Sequence, residues 1–472
     1  MDKKQAPHWL DYIVLTAIGL SCMYYSIFWS MFAKLHVRLP GLAVPVFVGE
    51  ILLGLCFVLY FLRRCLVKQP ATVWDILWII YGGWVLAKTL HGYTQEGGGP
   101  LALRHAALFY YPFFALIACT CFHRKMVTQN LLIFLIVAAV SIKCCTPLNG
   151  YYMYPYFAGA LACVLLLENR WLKFIAIAAL LLAFPVDLFF KDGKSIVLGH
   201  MAAWAFLIAA VLAASWLKTS HKWLVVAISF IVLVFGSSQF VGPHQRRSLM
   251  NWEEISRQYE RKERFVQCER PYYIPRDLSV QLYNPKDQIF KEPLENFDSI
   301  SPCRQEEDIE EDIEAASSTG TTRTAATDRG NMLFRMFVWR DMIDEWRHDR
   351  EAQIFGFSFS KPQRSISLEI LNMGRGEWIR DGWIAPHNSS LHLIYRAGIS
   401  GFLFLVLLWG SVIMCAVTFI HHRVWSGLVL ISVFIYWFVI MNLNVFLEFP
   451  YQAIPFWALL GILWKVKREK SI

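Results

Sequence analysis

Acidic side chains are spread along this chain in a way that constrains what it can fold into. Of 36 Asp and Glu in 472 residues, 26 lie between Val241 and Pro386, so the other 326 residues hold only 10. That segment also carries 21 of the 45 Lys and Arg, giving it a formal balance of −5 against +14 for the remainder. Outside it, apolar runs fall at about 12–33, 42–62, 73–90, 104–122, 127–145, 151–168, 172–190, 195–216, 222–240, 391–418, 425–446 and 449–464. Each is close to the roughly 17–25 residues that cross ~30 Å of hydrocarbon as a helix. With 56 % hydrophobic and 17 % charged residues, a soluble enzyme is excluded. The pattern predicts an all-α polytopic membrane protein of about 12 transmembrane helices. Residues 1–240 form the first nine, 241–390 one large hydrophilic loop, and 391–472 the last three with a basic tail.

The net charge of +9 does not point to nucleic acid. No basic stripe with interleaved aromatics is present. The Lys and Arg sit instead in short turns, where anionic membrane lipids attract them. Alternate connections carry Arg63, Arg64 and Lys68; Arg124 and Lys125; Arg170 and Lys173; Lys218 and Lys222; then Arg423. Lys3 and Lys4 lie at one terminus, and Lys465, Lys467, Arg468 and Lys470 at the other. The bias of basic residues to the cytoplasmic side places both termini inside and the large loop outside.

Within the loop, 251–264 reads as a charged amphipathic helix and 271–300, with four prolines, as irregular chain. Residues 305–330 run from an acidic stretch into small polar residues, a composition too poor in apolar surface to offset ordering, so a mobile insertion is expected. Residues 331–347 return to helical periodicity, with Leu333, Phe334, Phe337, Val338, Met342 and Trp346 on one face. None of the 11 cysteines forms a CxxC pair, and Cys268 and Cys303 stand alone in the loop, as a disulfide if it is extracytoplasmic or as two free thiols.

Three polar constellations fall on the outward side. Lys191-Asp192-Gly193-Lys194-Ser195 opens the eighth run, where cations and free backbone N–H groups suit a phosphate, or the lysines simply snorkel beside Asp192. Arg335 and Arg340 lie on the loop helix. Their planar guanidinium groups suit a diphosphate, although Arg340 also stands four residues before Asp344, as in an ordinary ion pair. Pro386-His387-Asn388-Ser389-Ser390 falls at the mouth of the tenth run, where His387 can take a proton from a hydroxyl or merely cap a helix. His392 and Arg396, four apart, form a second polar patch, and Gly398 and Gly401 permit close approach of a neighbour.

PHNSSLHLIYRAGISG at 386–401 resembles the bacterial O-antigen ligase and polymerase superfamily, whose members show a His-Asn, an apolar stretch and a Gly-Ile-x-Gly turn into a transmembrane helix. FRMFVW at 334–339, ahead of Phe355-Gly356-Phe357, is similar to that family's Phe-Arg-x-x-x-Trp helix, and KDGKSIVLG at 191–199 to its Ser-Arg-Gly segment. The resemblance implies a GT-C-like fold in the bacterial inner membrane, with the large periplasmic loop between spans nine and ten. It implies an O-antigen ligase activity, transfer of a glycan from undecaprenyl diphosphate to an acceptor hydroxyl of lipid A–core or another glycan. That transfer would be inverting and independent of metal or other cofactors. His387 and Arg335 are then the catalytic pair. Lys194, Lys191, Arg335 and Arg340 hold the diphosphate, and Asn388, Ser389, His392 and Arg396 line the acceptor side or helix mouth. Lys194 stands where the family has arginine, which keeps the charge and loses the fork. The acidic 241–330 region is long for the family. A polymerase joining repeat units on the same carrier is the alternative within the family, and a polysaccharide or lipid transporter the alternative outside it, with Glu50, Asp75 and Glu168 as candidate intramembrane acids.

Overall fold

The computed structural model describes residues 7–37, 46–68, 72–95, 99–123, 154–155, 158–159, 161–162, 194–213, 252–269, 323–371 and 386–470. It is mostly helical. Among the described residues, four helical stretches are long and apolar enough to cross a membrane: Val73–Thr94, Leu101–Cys121, Ile399–His421 and Trp425–Leu443. This is a helical, membrane-embedded architecture. The apolar runs at 127–145, 172–190 and 222–240, most of 151–168, the segment 271–300, and Lys191 lie outside the described residues.

Helix α1 (Trp9–Ala33) leads through a two-stranded antiparallel ribbon, β1 (His36–Val37) against β2 (Val46–Phe47), into α2 (Val48–Val67). Helix α3 (Val73–Thr94) begins with a capping box, in which Thr72 and Asp75 satisfy each other's backbone N–H groups. Pro112, which has no N–H to donate, divides the fourth apolar run into α4 (Gly99–Tyr110) and α5 (Phe113–Cys121). Helix α6 (Lys194–Ala213) packs on α13 (Trp425–Leu443), and α5 packs on α14 (Pro450–Lys470). The second contact is very close: a Cβ at Gly461 would overlap the Ala115 carbonyl, so the two backbones meet with no side chain between them.

The hydrophilic segment contributes α7 (Trp252–Glu269), α8 (Arg323–His348), α9 (Arg350–Phe355) and α10 (Ile366–Ile370). Helix α8 starts earlier than periodicity indicated, so the backbone of 323–330, expected to be mobile, is helical. Buried Phe337, Val338 and Met342 of α8 pack with Val266 of α7, Leu368 of α10 and Phe357, giving this layer its own small core. Buried Asp341 accepts from Ser365 Oγ (2.6 Å), Ser367 Oγ (2.6 Å) and Ser367 N (2.8 Å), which caps α10. Cys268 is disulfide-bonded rather than a free thiol, and Cys303, the other cysteine of the loop, lies outside the described residues.

The tenth apolar run is not one helix. It divides into α11 (Ser389–Ala397) and α12 (Ile399–His421) at Gly398, whose φ of +59° and ψ of −138° suit only glycine. Gly356, with φ +71°, lies directly against this break, and Lys88 of α3 reaches the Phe355, Gly356 and Arg396 carbonyls around it. The two ends of the bundle differ. One end pairs Asp11 with Arg63 and His123, pairs Arg64 with Asp75, and carries Lys465, Lys467 and Arg468. The helix layer α8–α11 sits at the other end, with the starts of α6 and α14.

A Cβ at Gly398 would lie 2.6 Å from the Ile354 carbonyl oxygen, whereas one at Gly54 or Gly410, mid-helix, meets nothing within 4 Å. Gly398→Ala should therefore destabilise the purified protein by about 1–3 kcal/mol. Gly54→Ala and Gly410→Ala should be neutral or stabilising by up to about 1 kcal/mol. Thermal unfolding in detergent separates the two classes, and equal shifts at Gly398 and Gly410 would contradict the packing described.

Candidate functional site

Three segments far apart in sequence meet at the end of the bundle remote from Lys465, Lys467 and Arg468. They are the start of α6, helix α8 with the turn 386–390, and the connection 444–449 between α13 and α14. Helix α13 ends at Leu443 because Asn444 turns extended (φ −146°, ψ 165°), leaving its last carbonyls without intrahelical partners. Arg335 of α8 meets them: its Nη1 donates to Leu443 O at 2.6 Å and its Nη2 to Asn444 Oδ1 at 3.4 Å. A cation at a helix C-terminus also opposes the negative end of the macrodipole. Asn444 Nδ2 in turn donates to Ser195 Oγ at 2.8 Å, so Arg335 is linked through one amide to the residue beside Lys194. Lys194 is the first residue of α6, and Lys191 lies outside the described residues.

One turn along α8, Trp339 Nε1 donates to the Pro386 carbonyl at 2.6 Å, and the Phe334 ring meets the His387 ring edge-on at 6.1 Å. Helix α8 thus presents Arg335 and steadies the turn that carries His387. The backbone of His387 is left-handed (φ +52°), a conformation histidine tolerates better than most residues. Its Nδ1 is buried and accepts no hydrogen bond among the described residues. Burial, then the positive charge of Arg335, lower its pKa to about 4, against a smaller opposing effect of Glu448. The imidazole is therefore neutral at pH 7, with a lone pair to offer.

The other residues expected at the helix mouth face inward. Asn388 is the N-cap of α11, its Oδ1 accepting from Leu391 N at 2.9 Å. Ser389, His392 and Arg396 are buried and joined to Glu448, a residue the sequence reading passed over. Ser389 Oγ donates to Glu448 Oε2 at 2.6 Å and accepts from Phe446 N and Leu447 N, both at 3.1 Å. His392 Nδ1 lies 3.0 Å from Glu448 Oε1, while Arg396 Nε donates to His392 Nε2 at 3.4 Å. The guanidinium N–H fixes the tautomer: Nε2 accepts, so the proton is on Nδ1 and points to the carboxylate. The same logic assigns His105, whose Nε2 faces Arg396 Nη2 at 2.9 Å and whose Nδ1 faces Phe359 O at 2.7 Å. Arg396 Nη1 completes the set with Ser358 O (2.7 Å) and Lys361 O (2.9 Å). Burial alone would raise the Glu448 pKa, but hydrogen bonds from His392 and Ser389 hold it below the usual carboxylate range. Ser389, His392 and Arg396 thus form the frame of the site, and their polar atoms are turned to protein groups.

Arg340 is placed away from this meeting point, between Glu263 of α7 at 3.2 Å and Asp344 at 3.5 Å. The i,i+4 pair foreseen from its spacing is present, and a second carboxylate joins it. Glu448 had a signal that was available: it is the only acidic residue between Asp381 and Glu469. A lone carboxylate inside such an apolar stretch must be paired to be tolerated. Among the described residues, no group of three or more His, Cys, Asp or Glu is arranged to hold a metal ion.

Fold and site together define a helical membrane protein whose polar site lies at one end of its bundle, roofed by an amphipathic helix. No family model matches the chain, no curated protein matches it, and no solved structure matches it.

Because the folded-state pKa of His387 lies below the unfolded value of ~6.5, the unfolded chain binds more protons between the two. The stability gained by keeping this imidazole neutral is present above pH ~6.5 and lost as pH falls towards 4. The unfolding temperature should fall between pH 7.5 and pH 5, and fall less in His387→Asn, which keeps the left-handed turn and binds no proton. Identical pH slopes for the two proteins would contradict the depressed pKa.

Proposed function

We propose that this protein is an O-antigen ligase-like, undecaprenyl-diphosphate-dependent glycosyltransferase of the bacterial inner membrane. It moves a glycan to an acceptor hydroxyl, that of lipid A–core in the simplest case, on the periplasmic side. The observation that carries this reading is the placement of Arg335 and a neutral, half-buried His387, whose Nδ1 has no hydrogen-bond partner among the described residues, at the end opposite the basic tail. Basic residues favour the cytoplasmic side, so the opposite end is the periplasmic one. The disulfide at Cys268 suits that compartment.

The chemistry required is a direct displacement. The acceptor oxygen attacks the anomeric carbon from the face opposite the diphosphate. The bond from that carbon to the phosphate oxygen breaks, and its electron pair leaves with undecaprenyl diphosphate. The acceptor proton passes to His387. Fixed cations lower the energy of the departing charge more than mobile ones, because they need no reorganisation as it develops. Arg335, pinned to the end of α13, is such a cation, and Lys194, the first residue of α6, supplies a second positive charge. A bound diphosphate also offsets the Arg335 charge that depresses the His387 pKa, so the donor makes the imidazole a stronger base when one is needed.

The test is the electrophoretic profile of surface lipopolysaccharide in a strain lacking the protein, complemented with wild type or His387→Asn, together with the undecaprenyl-linked glycan pool. The ligase reading expects loss of the whole ladder from the core, accumulation of long polymer on the carrier, and no rescue by the variant. Core bearing a single repeat unit would replace ligase by polymerase. An unchanged profile with normal carrier pools would overturn both, and turn attention to another surface glycan or to transport.

A further inference from the structure

Two parts of the site come from different halves of its frame. His387 belongs to the turn that opens α11, and Arg335 is seated on Leu443 and Asn444, where α13 gives way to the 444–449 connection. A proton acceptor and a cation serve one ligand only if the distance between them is fixed. One side chain spans both halves. Glu448 Oε2 takes the Ser389 hydroxyl at 2.6 Å and, from its own connection, Phe446 N at 3.0 Å. Its Oε1 takes His392 Nδ1, one turn further along α11. Ser389 returns the grip by accepting from Phe446 N and Leu447 N. Ser389 lies two residues after His387, and Glu448 four after Asn444. All five residues of the joint are buried, where an unmet partner is costly, so the joint has one satisfied arrangement.

We infer that Glu448 is the positioning residue of this site, joining the turn that carries His387 to the connection that seats Arg335. The inference rests on the reading of His387 and Arg335 as the working pair. Glu448 touches neither substrate nor reacting atoms, and it acts through Ser389 and His392. Glu448→Gln keeps the shape but turns an amide N–H₂ towards one of the donors that the carboxylate accepts. The turn should then lose its fixed place while the rest of the bundle stays packed.

The experiment uses the full-length protein purified in detergent. Diethyl pyrocarbonate, which acylates neutral imidazole, is applied at pH 6.5, and labelling at each histidine is followed by peptide mass spectrometry. Buried His200 of α6 serves as the gauge of general unfolding. In Glu448→Gln, labelling of His387 should rise several-fold with His200 unchanged. Transfer by the same preparation should fall about 100-fold in kcat, as expected for a displacement of ~1 Å, with KM changed less than about threefold. Ser389→Ala removes one arm of the joint and leaves the carboxylate paired, and the same outcomes apply to it if the glutamine variant does not fold. His387 labelling equal to wild type in a folded variant would overturn the inference, and so would a parallel rise at His200. If wild type shows no transfer, the proposed activity fails, while the labelling still decides the positioning role.

Discussion

A carboxylate taken out of water must collect hydrogen-bond donors, and the way Glu448 meets that demand organises one end of this protein. Its donors come from α11, through Ser389 and His392, and from its own connection, through Phe446 N. The positive charge that balances it lies on Arg396, one imidazole away, and Arg396 spreads its remaining contacts over His105 and the carbonyls of Ser358 and Lys361. Four separate pieces of chain are thereby committed to one arrangement. Removing one member of such a buried network is costly, because the polar groups that remain lose their partners and cannot regain water. What the arrangement secures is specificity of geometry as much as stability.

On that frame the working groups are few. Helix α8 lies across the end of the bundle and does two things within one turn: Arg335 reaches the end of α13, and Trp339 holds the Pro386 carbonyl. The left-handed backbone at His387 turns its ring towards Phe334 before α11 begins. The same amphipathic helix therefore sets both the cation and the imidazole. The candidate acids of a transport pathway that the structure describes have protein partners, although one oxygen of Glu50 has none among the described residues. Asp75 closes a capping box and pairs with Arg64, and Glu50 accepts from the hydroxyls of Tyr110 and Tyr111.

The membrane class and the ends of many helices were legible in the sequence, because apolar length and charge partition are one-dimensional signals. The loop helix was legible too, since the spacing of Phe334, Phe337 and Val338 repeats with the helical period. The break at Gly398 was not. The glycine was visible, but its positive φ follows from the close approach of Gly356, 42 positions earlier in the chain. Likewise, spacing alone placed His392 and Arg396 on one face without telling whether that face met a ligand or the interior. The deciding partners, His105 and Glu448, lie 287 and 56 positions from His392 and join it only through tertiary packing. Arg340 shows the converse case: its local pair with Asp344 was readable, and the second partner, Glu263, was not.

The central claim is that Arg335 and His387 act together on a diphosphate-linked glycan. The most direct measurement is transfer in lipid nanodiscs containing only the purified protein, an undecaprenyl diphosphate-linked glycan and lipid A–core, for wild type, His387→Asn, Arg335→Gln and the double variant. Each single change should remove most of the activity, and the double change should cost far less than the product of the two, because the residues work as a unit. Transfer that persists in His387→Asn at the wild-type rate, or losses that simply multiply, would contradict the claim.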